Sequence, residues 1–190
     1  YEARCFPGTV TLEPKLLLSL LQGVLDEIGR NGFKKIILFN GHGGNSHLLH
    51  FLAQCSLWEQ KPYTVYLFTW YTPEQQAARE AIRETDLHEH ACECETSVML
   101  AIDESLVKMD KMVDEPAYPL GRLDHLTSAA LGISWYANYP DHYAGDARPA
   151  TKQKGEALRE ISVSALADFI KAVKADSVAP MLEAEFYAHT

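Results

Sequence analysis

Hydrophobic and polar residues follow two patterns along the chain, one typical of amphipathic helices and the other of buried strands. Between residues 14 and 30, apolar side chains return every three or four positions, which predicts a helix that ends at Asn31-Gly32. Thr11 is the expected N-cap of this helix. Residues 34–39 then place two lysines before four apolar residues, a pattern typical of a strand buried in a parallel sheet.

Downstream, the two patterns continue to alternate. The predicted elements are a helix over residues 46–58, a strand over 63–70, a helix over 73–84 and a long helix over 151–174. Residues 87–106 begin polar and become apolar, as a loop that enters a helix does, and prolines and glycines interrupt residues 109–150, which predicts irregular structure. Because strands that alternate with helices form a parallel sheet covered on both faces, we predict one α/β domain over residues 1–190.

Composition and charge narrow the class of protein. The chain has 190 residues, 47% of them hydrophobic and 23% charged, as in an ordinary globular domain. Its net charge of −9 argues against a nucleic-acid partner, because an acidic surface repels phosphates. The chain contains no run of 18 apolar residues, so we expect no membrane-spanning segment. The four cysteines lack the spacing of a disulfide framework, which predicts a reduced, cytoplasmic protein.

A glycine-rich hexapeptide, NGHGGN over residues 40–45, follows the first predicted strand. In open α/β sheets, ligands bind beyond the carboxyl ends of the strands. The three glycines permit positive φ angles and tight turns, so the imidazole of His42 lies at a candidate binding site. The spacing leaves two interpretations open: His42 binds a metal or takes part in catalysis, or it is an incidental exposed histidine in a turn.

Residues 88–97, HEHACECETS, contain more potential metal ligands than any other segment. Imidazole, carboxylate and thiolate groups bind zinc and similar divalent ions. An extended conformation would place His88 and His90 on the same side of the chain. A helix beginning near Glu93 would place Glu93 and Glu95 in its first turn, where carboxylates stabilise a helix without any functional role. Both a functional site and a structural role are consistent with this spacing.

Aromatic residues in the irregular region give a weaker signal. Trp135 and His142 lie among prolines and glycines, and aromatic loops often cover small-molecule pockets. Aromatic side chains are also common in protein cores, so the sequence alone leaves both interpretations open.

Four stretches taken together resemble the creatininase (creatinine amidohydrolase) family. FPGTV, residues 6–10, precedes the leucine-rich helix, and the NGHGGN loop follows a strand. HACECETS, residues 90–97, looks like the family's H-A-G-E-x-E-T-S segment, with Cys92 where glycine is usual. GDARPAT, residues 145–151, followed by Lys154-Gly155, is similar to the family's G-D-P-R-x-A-T…K-G stretch. The match runs in order from residue 6 into the last predicted helix.

The resemblance implies a three-layer α/β/α sandwich that hydrolyses an amide-type C–N bond in a small cyclic or formamide substrate. It also implies two divalent metal ions per active site and a homo-oligomer, which is a hexamer in this family. His42 and Glu95 match metal ligands, and His90 and Glu93 are the expected catalytic residues. Zinc and manganese are the expected metals, and iron suits the same ligands. The residues expected to bind substrate are Gly43, Gly44, Asn45, Trp135 and His142.

Two departures from the family pattern change these expectations. Gly44 stands where creatininase itself has a glutamate, which weakens creatinine as the substrate and leaves a sugar-ring hydrolase of the dehydro-inosose type as an alternative. The family's E-x-H pair and N-terminal aspartate have no counterpart in residues 1–41, where Asp26 lies within the first predicted helix. We expect these ligands upstream of Tyr1, together with an N-terminal strand unit of the sheet. A family member that binds a small ligand without catalysis is the third interpretation.

Overall fold

Two pairs of strands, one parallel and one antiparallel, organise the part of the chain that the structure describes, residues 1–68 and 71–190 of a computed structural model. We call the two compact units that contain them the parallel unit and the antiparallel unit. The parallel unit comprises Leu12–Tyr71 and Ser164–Thr190, and the antiparallel unit comprises Tyr1–Thr11 and Thr72–Val163. Within the described residues, no helix has both the length and the apolar character needed to cross a lipid bilayer.

Helices and strands alternate in the parallel unit, as the sequence predicts. Its elements are α1 (Pro14–Arg30), β1 (Lys35–Phe39), α2 (Ser46–Cys55), β2 (Thr64–Phe68), the second half of α6 (Lys152–Ala175) and α7 (Val178–Ala188). β1 and β2 pair in parallel, with Lys35 opposite Thr64 and Phe39 opposite Phe68. The predicted α/β class is confirmed. The last two residues of the predicted strand, 69 and 70, lie outside the described residues.

The start of α1 differs from the prediction. The N-cap is Glu13, whose carboxylate accepts a hydrogen bond of 2.9 Å from the N–H of Leu16, and the expected cap Thr11 lies two residues too early. Pro14 explains the position, because proline has no N–H to satisfy and its fixed φ suits the first helical residue. The predicted end is confirmed, since Asn31 is the C-cap.

The core of the parallel unit lies between α1, α2 and the two strands. Its buried members are Leu25, Ile36, Leu52 and Tyr63. The lysine at the start of β1 also has a structural role: Lys35 Nζ donates hydrogen bonds to the carbonyls of Val173 (2.7 Å) and Lys174 (3.0 Å). A cation at the C-terminus of a helix satisfies carbonyls that have no partner within the helix. Lys35 therefore holds the end of α6 against the sheet.

The antiparallel unit contains elements that the sequence pattern did not predict. Its elements are α3 (Pro73–Glu80), β3 (His88–His90), α4 (Glu93–Ile102), α5 (Ser134–Asn138), β4 (Ala144–Gly145) and the first half of α6. β3 and β4 pair antiparallel, with His90 opposite Ala144. Strands of two or three residues and a five-residue helix are too short to produce a hydrophobic period, so β3, β4 and α5 were missed. The helix α7 was also not predicted, and α2 and α3 end three and four residues earlier than expected.

Close packing of α4 against α6 fixes the frame of the antiparallel unit. A Cβ atom at Gly155 would lie 1.8 Å from the carbonyl oxygen of Ser97, so only glycine fits this contact. Ser97 is completely buried, and its hydroxyl accepts a hydrogen bond of 3.1 Å from the N–H of Thr151. The Gly155 position of the GDARPAT…KG stretch thus allows the beginning of α6 to approach α4 directly.

Substituting the two glycines of α1 tests the packing of the parallel unit. A Cβ atom at Gly29 would lie 2.2 Å from the ring of Tyr63, which is buried, so Gly29→Ala should lower the free energy of unfolding by about 1–3 kcal/mol. At Gly23, no described heavy atom lies within 4 Å of the added Cβ, so Gly23→Ala should raise it by up to about 1 kcal/mol through helix propensity. Urea denaturation measures both changes, and equal effects of the two substitutions would contradict the packing.

The pH dependence of stability tests the polar cluster beside this core. Tyr63 Oη donates to Asp26 Oδ1 over 2.6 Å, and this hydrogen bond, followed by Lys61, holds the pKa of Asp26 below its usual value. Stability from a depressed carboxylate pKa is present above the ordinary pKa and is lost as the pH falls through the folded value. The stability difference between wild type and Tyr63→Phe should therefore be constant above about pH 5 and shrink as the pH falls below about 4, the ordinary pKa of an aspartate. Tyr118→Phe, at an exposed tyrosine, is the control and should show no such trend.

Candidate functional site

The NGHGGN loop lies in the parallel unit, directly after the carboxyl end of β1, as predicted. His42 is exposed and extended, and the following residues Gly43–Asn45 form one turn of 3-10 helix before α2. The side chain of Asn40 fixes the turn, because its Oδ1 accepts a hydrogen bond of 3.1 Å from the N–H of His42. None of the loop's three glycines has a positive φ, and the tight turn that they permit is this 3-10 turn.

The junction between β3 and α4 brings His90 and Glu95 together. The predicted loop into a helix is present, and α4 begins at Glu93. Ala91 has a φ of 54°, a left-handed conformation that turns the chain sharply. Glu95 Oε2 accepts a hydrogen bond of 2.7 Å from the N–H of Ala91 and lies 3.7 Å from Nδ1 of His90. The turn therefore directs an imidazole and a half-exposed carboxylate to the same place.

Aromatic rings from the region after residue 130 surround His90. The ring centre of His142 lies 4.5 Å from that of His90, and Trp135 meets His90 edge-on at 6.1 Å. Trp135 in turn packs against Tyr139 at 4.9 Å. The structure thus brings together His90, Glu95, Trp135 and His142, four residues that the sequence singled out in two separate segments. Tyr139 was not singled out, because its sequence context resembles that of any core aromatic residue.

Glu93 lies in a different environment from Glu95, although the two are two residues apart. Glu93 is 1% exposed, and its carboxylate accepts hydrogen bonds from the N–H of Glu84 and from the N–H (2.9 Å) and hydroxyl (2.8 Å) of Thr85. Lys154 Nζ completes the set with an ion pair to Oε1. Burial alone would raise the pKa of Glu93, but the ammonium of Lys154 and the surrounding donors outweigh it and lower the pKa. Glu93 is therefore a buried, fully hydrogen-bonded carboxylate.

Sequence reasoning did not single out Lys154 or Thr85 as individual partners of Glu93. Lys154 lies in the GDARPAT…KG stretch, 61 residues from Glu93 along the chain, and Thr85 has no motif around it. The only signal available was the presence of Lys154 in the family pattern, which indicates neither its partner nor its burial.

The donors available for a metal ion are of the right chemical kind, imidazole and carboxylate. Across the described ranges, however, no three His, Cys, Asp or Glu side chains converge closely enough to hold an ion. Asp26 does not supply a ligand, since its carboxylate is bound by Tyr63, Gln22 and Lys61. His42 and Glu95, in the parallel and antiparallel units respectively, thus remain predicted ligands, and we derive no reaction step through a metal.

An open groove of about 780 Å³ lies beside the β3–α4 junction. Ala91 and Thr96 line one side, and Tyr139 and Tyr143 line another. Most of the remaining wall comes from residues 107–120 and is largely apolar. A groove of this volume with a few polar groups at one side is suited to a small molecule.

Comparisons with known proteins connect this arrangement to one family. A family profile described as creatinine amidohydrolase (creatininase) matches residues 1–170. The chain is 30% identical to the creatinine amidohydrolase of Pseudomonas putida over 182 residues, covering 87% of this chain and 66% of that protein. It is 27% identical to the 3-dehydro-scyllo-inosose hydrolase of Thermotoga maritima over 188 residues, covering 90% of this chain and 59% of that protein. The chain thus spans less than two thirds of either relative.

Solved structures show the same fold. A mutant creatininase complexed with creatine superposes with a TM-score of 0.73 at 24% identity, covering 92% of this chain and 71% of that one. A mutant creatininase of the Zn-Zn type has a TM-score of 0.70 at 26% identity, covering 88% and 67%. A manganese form of creatininase has a TM-score of 0.65 at 24% identity, with the same coverage.

The resemblance drawn from four short stretches of sequence is confirmed by both kinds of comparison. The profile match extends over nearly the whole chain, including the NGHGGN loop, the β3–α4 junction and most of α6. The chain belongs to the creatininase (creatinine amidohydrolase) family.

Proposed function

We propose that the protein hydrolyses an amide-type C–N bond in a small cyclic or formamide substrate. The observation that carries this proposal is the convergence of His90, Glu95, Trp135 and His142 at the segment that matches the family's H-A-G-E-x-E-T-S motif. Ala91 and Thr96 of the same segment line a groove of about 780 Å³. The 30% identity to a creatinine amidohydrolase supports the same reaction type.

His90 is the proposed proton donor to the leaving nitrogen. In amide hydrolysis, water adds to the carbonyl carbon and negative charge develops on the carbonyl oxygen. The nitrogen then needs a proton as the C–N bond breaks. An imidazole can deliver that proton when it lies within hydrogen-bond reach of the nitrogen. The carboxylate of Glu95 lies 3.7 Å from Nδ1 of this imidazole.

His42 and Glu95 are the proposed metal ligands, and zinc or manganese is the proposed metal, with two ions per site by analogy with the family. The zinc and manganese forms of creatininase support this choice, and an imidazole and a carboxylate suit iron as well. A bound divalent ion would supply Lewis acidity, polarising a carbonyl and lowering the pKa of water. The remaining proposed contacts with substrate come from the NGHGGN loop, namely Gly43, Gly44 and Asn45.

For Glu93, the surroundings favour a positioning role over contact with substrate. Its oxygens are occupied by Thr85, Lys154 and backbone N–H groups, and the side chain is almost completely buried. The catalytic role expected from the sequence remains a prediction. In the positioning role, Glu93 holds the two ends of the segment that carries His90.

A second candidate is a hydrolase of a sugar-like ring. The 27% identity to 3-dehydro-scyllo-inosose hydrolase favours it, as does Gly44, which stands where creatininase has a glutamate. We also propose a homo-oligomer, a hexamer by analogy with the family, in the cytoplasm, where the four free cysteines would stay reduced.

An assay panel tests the reaction type. The protein, loaded with zinc or manganese, should hydrolyse at least one member of a panel of lactams, cyclic ureas and formamides. Turnover of a cyclic inosose with no turnover of any amide would replace the first candidate by the second. Calorimetric binding of a panel member without turnover would instead support a family member that only binds its ligand.

Two histidine substitutions test the division of roles within the site. His90→Ala should leave the metal content nearly unchanged and lower kcat by roughly 10²–10⁴-fold, the usual contribution of general acid–base catalysis. His42→Ala should instead lower the metal content, because it removes a proposed ligand. His125→Ala, at an exposed histidine in the antiparallel unit, is the control for both measurements. Equal effects of the first two substitutions on metal content would contradict this division.

A further inference from the structure

The indole of Trp135 makes one directed hydrogen bond within the aromatic cluster. Its Nε1–H donates to Nδ1 of His142 over 2.8 Å. Indole has a donor and no acceptor, so Nδ1 of His142 has to be the unprotonated nitrogen. A neutral imidazole with an unprotonated Nδ1 carries its proton on Nε2. The contact therefore determines which nitrogen of His142 can donate.

We propose that Trp135 is a positioning residue that fixes the Nε2–H tautomer of His142, so that His142 donates a hydrogen bond to an acceptor oxygen of the substrate. This inference rests on the proposed function for the identity of the substrate. The fixed tautomer itself follows from the contact between the two rings. Trp135 and His142 were expected to bind substrate, and the proposal gives each a distinct role.

The surroundings of His142 hold its ring in place. His142 has a φ of 63°, a left-handed conformation that is uncommon for residues other than glycine, although asparagine, aspartate and histidine adopt it more often than the rest. Its N–H donates to the carbonyl of Tyr139 over 3.0 Å, which stabilises the turn. The ring of Phe6 packs 5.2 Å from the imidazole, and Trp135 itself packs against Tyr139. Left-handed backbone at residues other than glycine clusters at functional sites, and here it places one imidazole between aromatic rings.

The position of His142 beside His90 links the tautomer to the reaction. Their ring centres are 4.5 Å apart, so a substrate within reach of His90 is also close to His142. The two imidazoles would have different tasks: His90 transfers a proton, whereas His142 donates a hydrogen bond and keeps its proton. The acceptor would be the carbonyl oxygen of an amide or lactam. An amidine, which offers N–H donors at that position, would be a poor substrate for the same reason.

Nuclear magnetic resonance tests the tautomer without any assay of activity. In the ¹⁵N-labelled protein at neutral pH, we expect two-bond correlations showing a protonated Nε2 in His142, and a through-hydrogen-bond coupling between Trp135 Nε1 and His142 Nδ1. Trp135→Phe, which keeps an aromatic ring, should let His142 populate the Nδ1–H tautomer. Trp58→Phe, at a tryptophan that is 92% exposed, should leave the His142 signals unchanged. A protonated Nδ1 in the wild type, or an unchanged tautomer in Trp135→Phe, would overturn the proposal.

Kinetics with the substrate found in the assay panel test the donor role. Glutamine can place an N–H near the position of Nε2, whereas asparagine is too short to do so but tolerates the left-handed backbone. His142→Asn should lower kcat/KM by about 3- to 10-fold, the effect of losing one neutral hydrogen bond, and His142→Gln should retain more activity. If the protein cleaves an amide but Nδ1 of His142 is protonated, this inference is refuted and the proposed function stands. If His142 has the expected tautomer but the protein cleaves no amide, the proposed function is refuted and the tautomer stands.

Discussion

The buried carboxylate of Glu93 is the interaction on which the antiparallel unit depends. An ionised carboxylate is stable away from water only when it is paired and hydrogen-bonded, and Glu93 meets this condition through Lys154, Thr85 and the N–H of Glu84. These partners come from two other parts of the chain, the segment after α3 and the start of α6. His90 lies between Thr85 and Glu93 in the sequence. The contact between Thr85 and Glu93 therefore fixes both ends of the segment that carries His90.

The same constraint explains why lysine and glycine are adjacent at the start of α6. Lys154 can reach Glu93 only if α6 lies close to α4, and that approach brings Gly155 against the carbonyl of Ser97. A side chain at Gly155 would push α6 away and leave Glu93 buried without its cation, which is strongly unfavourable. Both residues are thus needed for the packing of α6 on α4. Lys154 supplies the charge that pairs with Glu93, and Gly155 has no side chain to keep the two helices apart.

The two glutamates in the first turn of α4 differ in burial and therefore in role. Glu93 points into the protein and holds the framework, whereas Glu95 is half exposed and faces His90. The left-handed Ala91 makes this possible, because it turns the chain so that its own N–H binds Glu95 while His90 stays nearby. The buried carboxylate that holds the framework and the half-exposed carboxylate beside His90 therefore come from one short segment.

The sequence by itself determined the features that depend on local chemistry and hydrophobic period. It predicted the long helices α1 and α6, the strands β1 and β2, a loop that enters a helix between residues 87 and 106 and, through four motifs, the family. The number of residues between two motifs did not indicate which side chains lie next to each other in the folded protein. Trp135 and His142 are 7 residues apart, whereas Glu93 and Lys154 are 61 residues apart. Both pairs form because the fold brings the two residues of each pair together, whatever their separation in the sequence.

The tertiary structure alone decided which carboxylate is buried, which nitrogen of His142 accepts, and where β3 and β4 pair. Glu93 and Glu95 occupy equivalent positions in the sequence pattern, and only the packing of α6 on one face of α4 distinguishes them. β3 and β4 are too short to be stable by themselves and pair only in the folded chain, where Gly145 also forms a bridge to Ala117. Local sequence specifies preferences of single segments, whereas burial, pairing and protonation depend on neighbours that only the folded chain supplies.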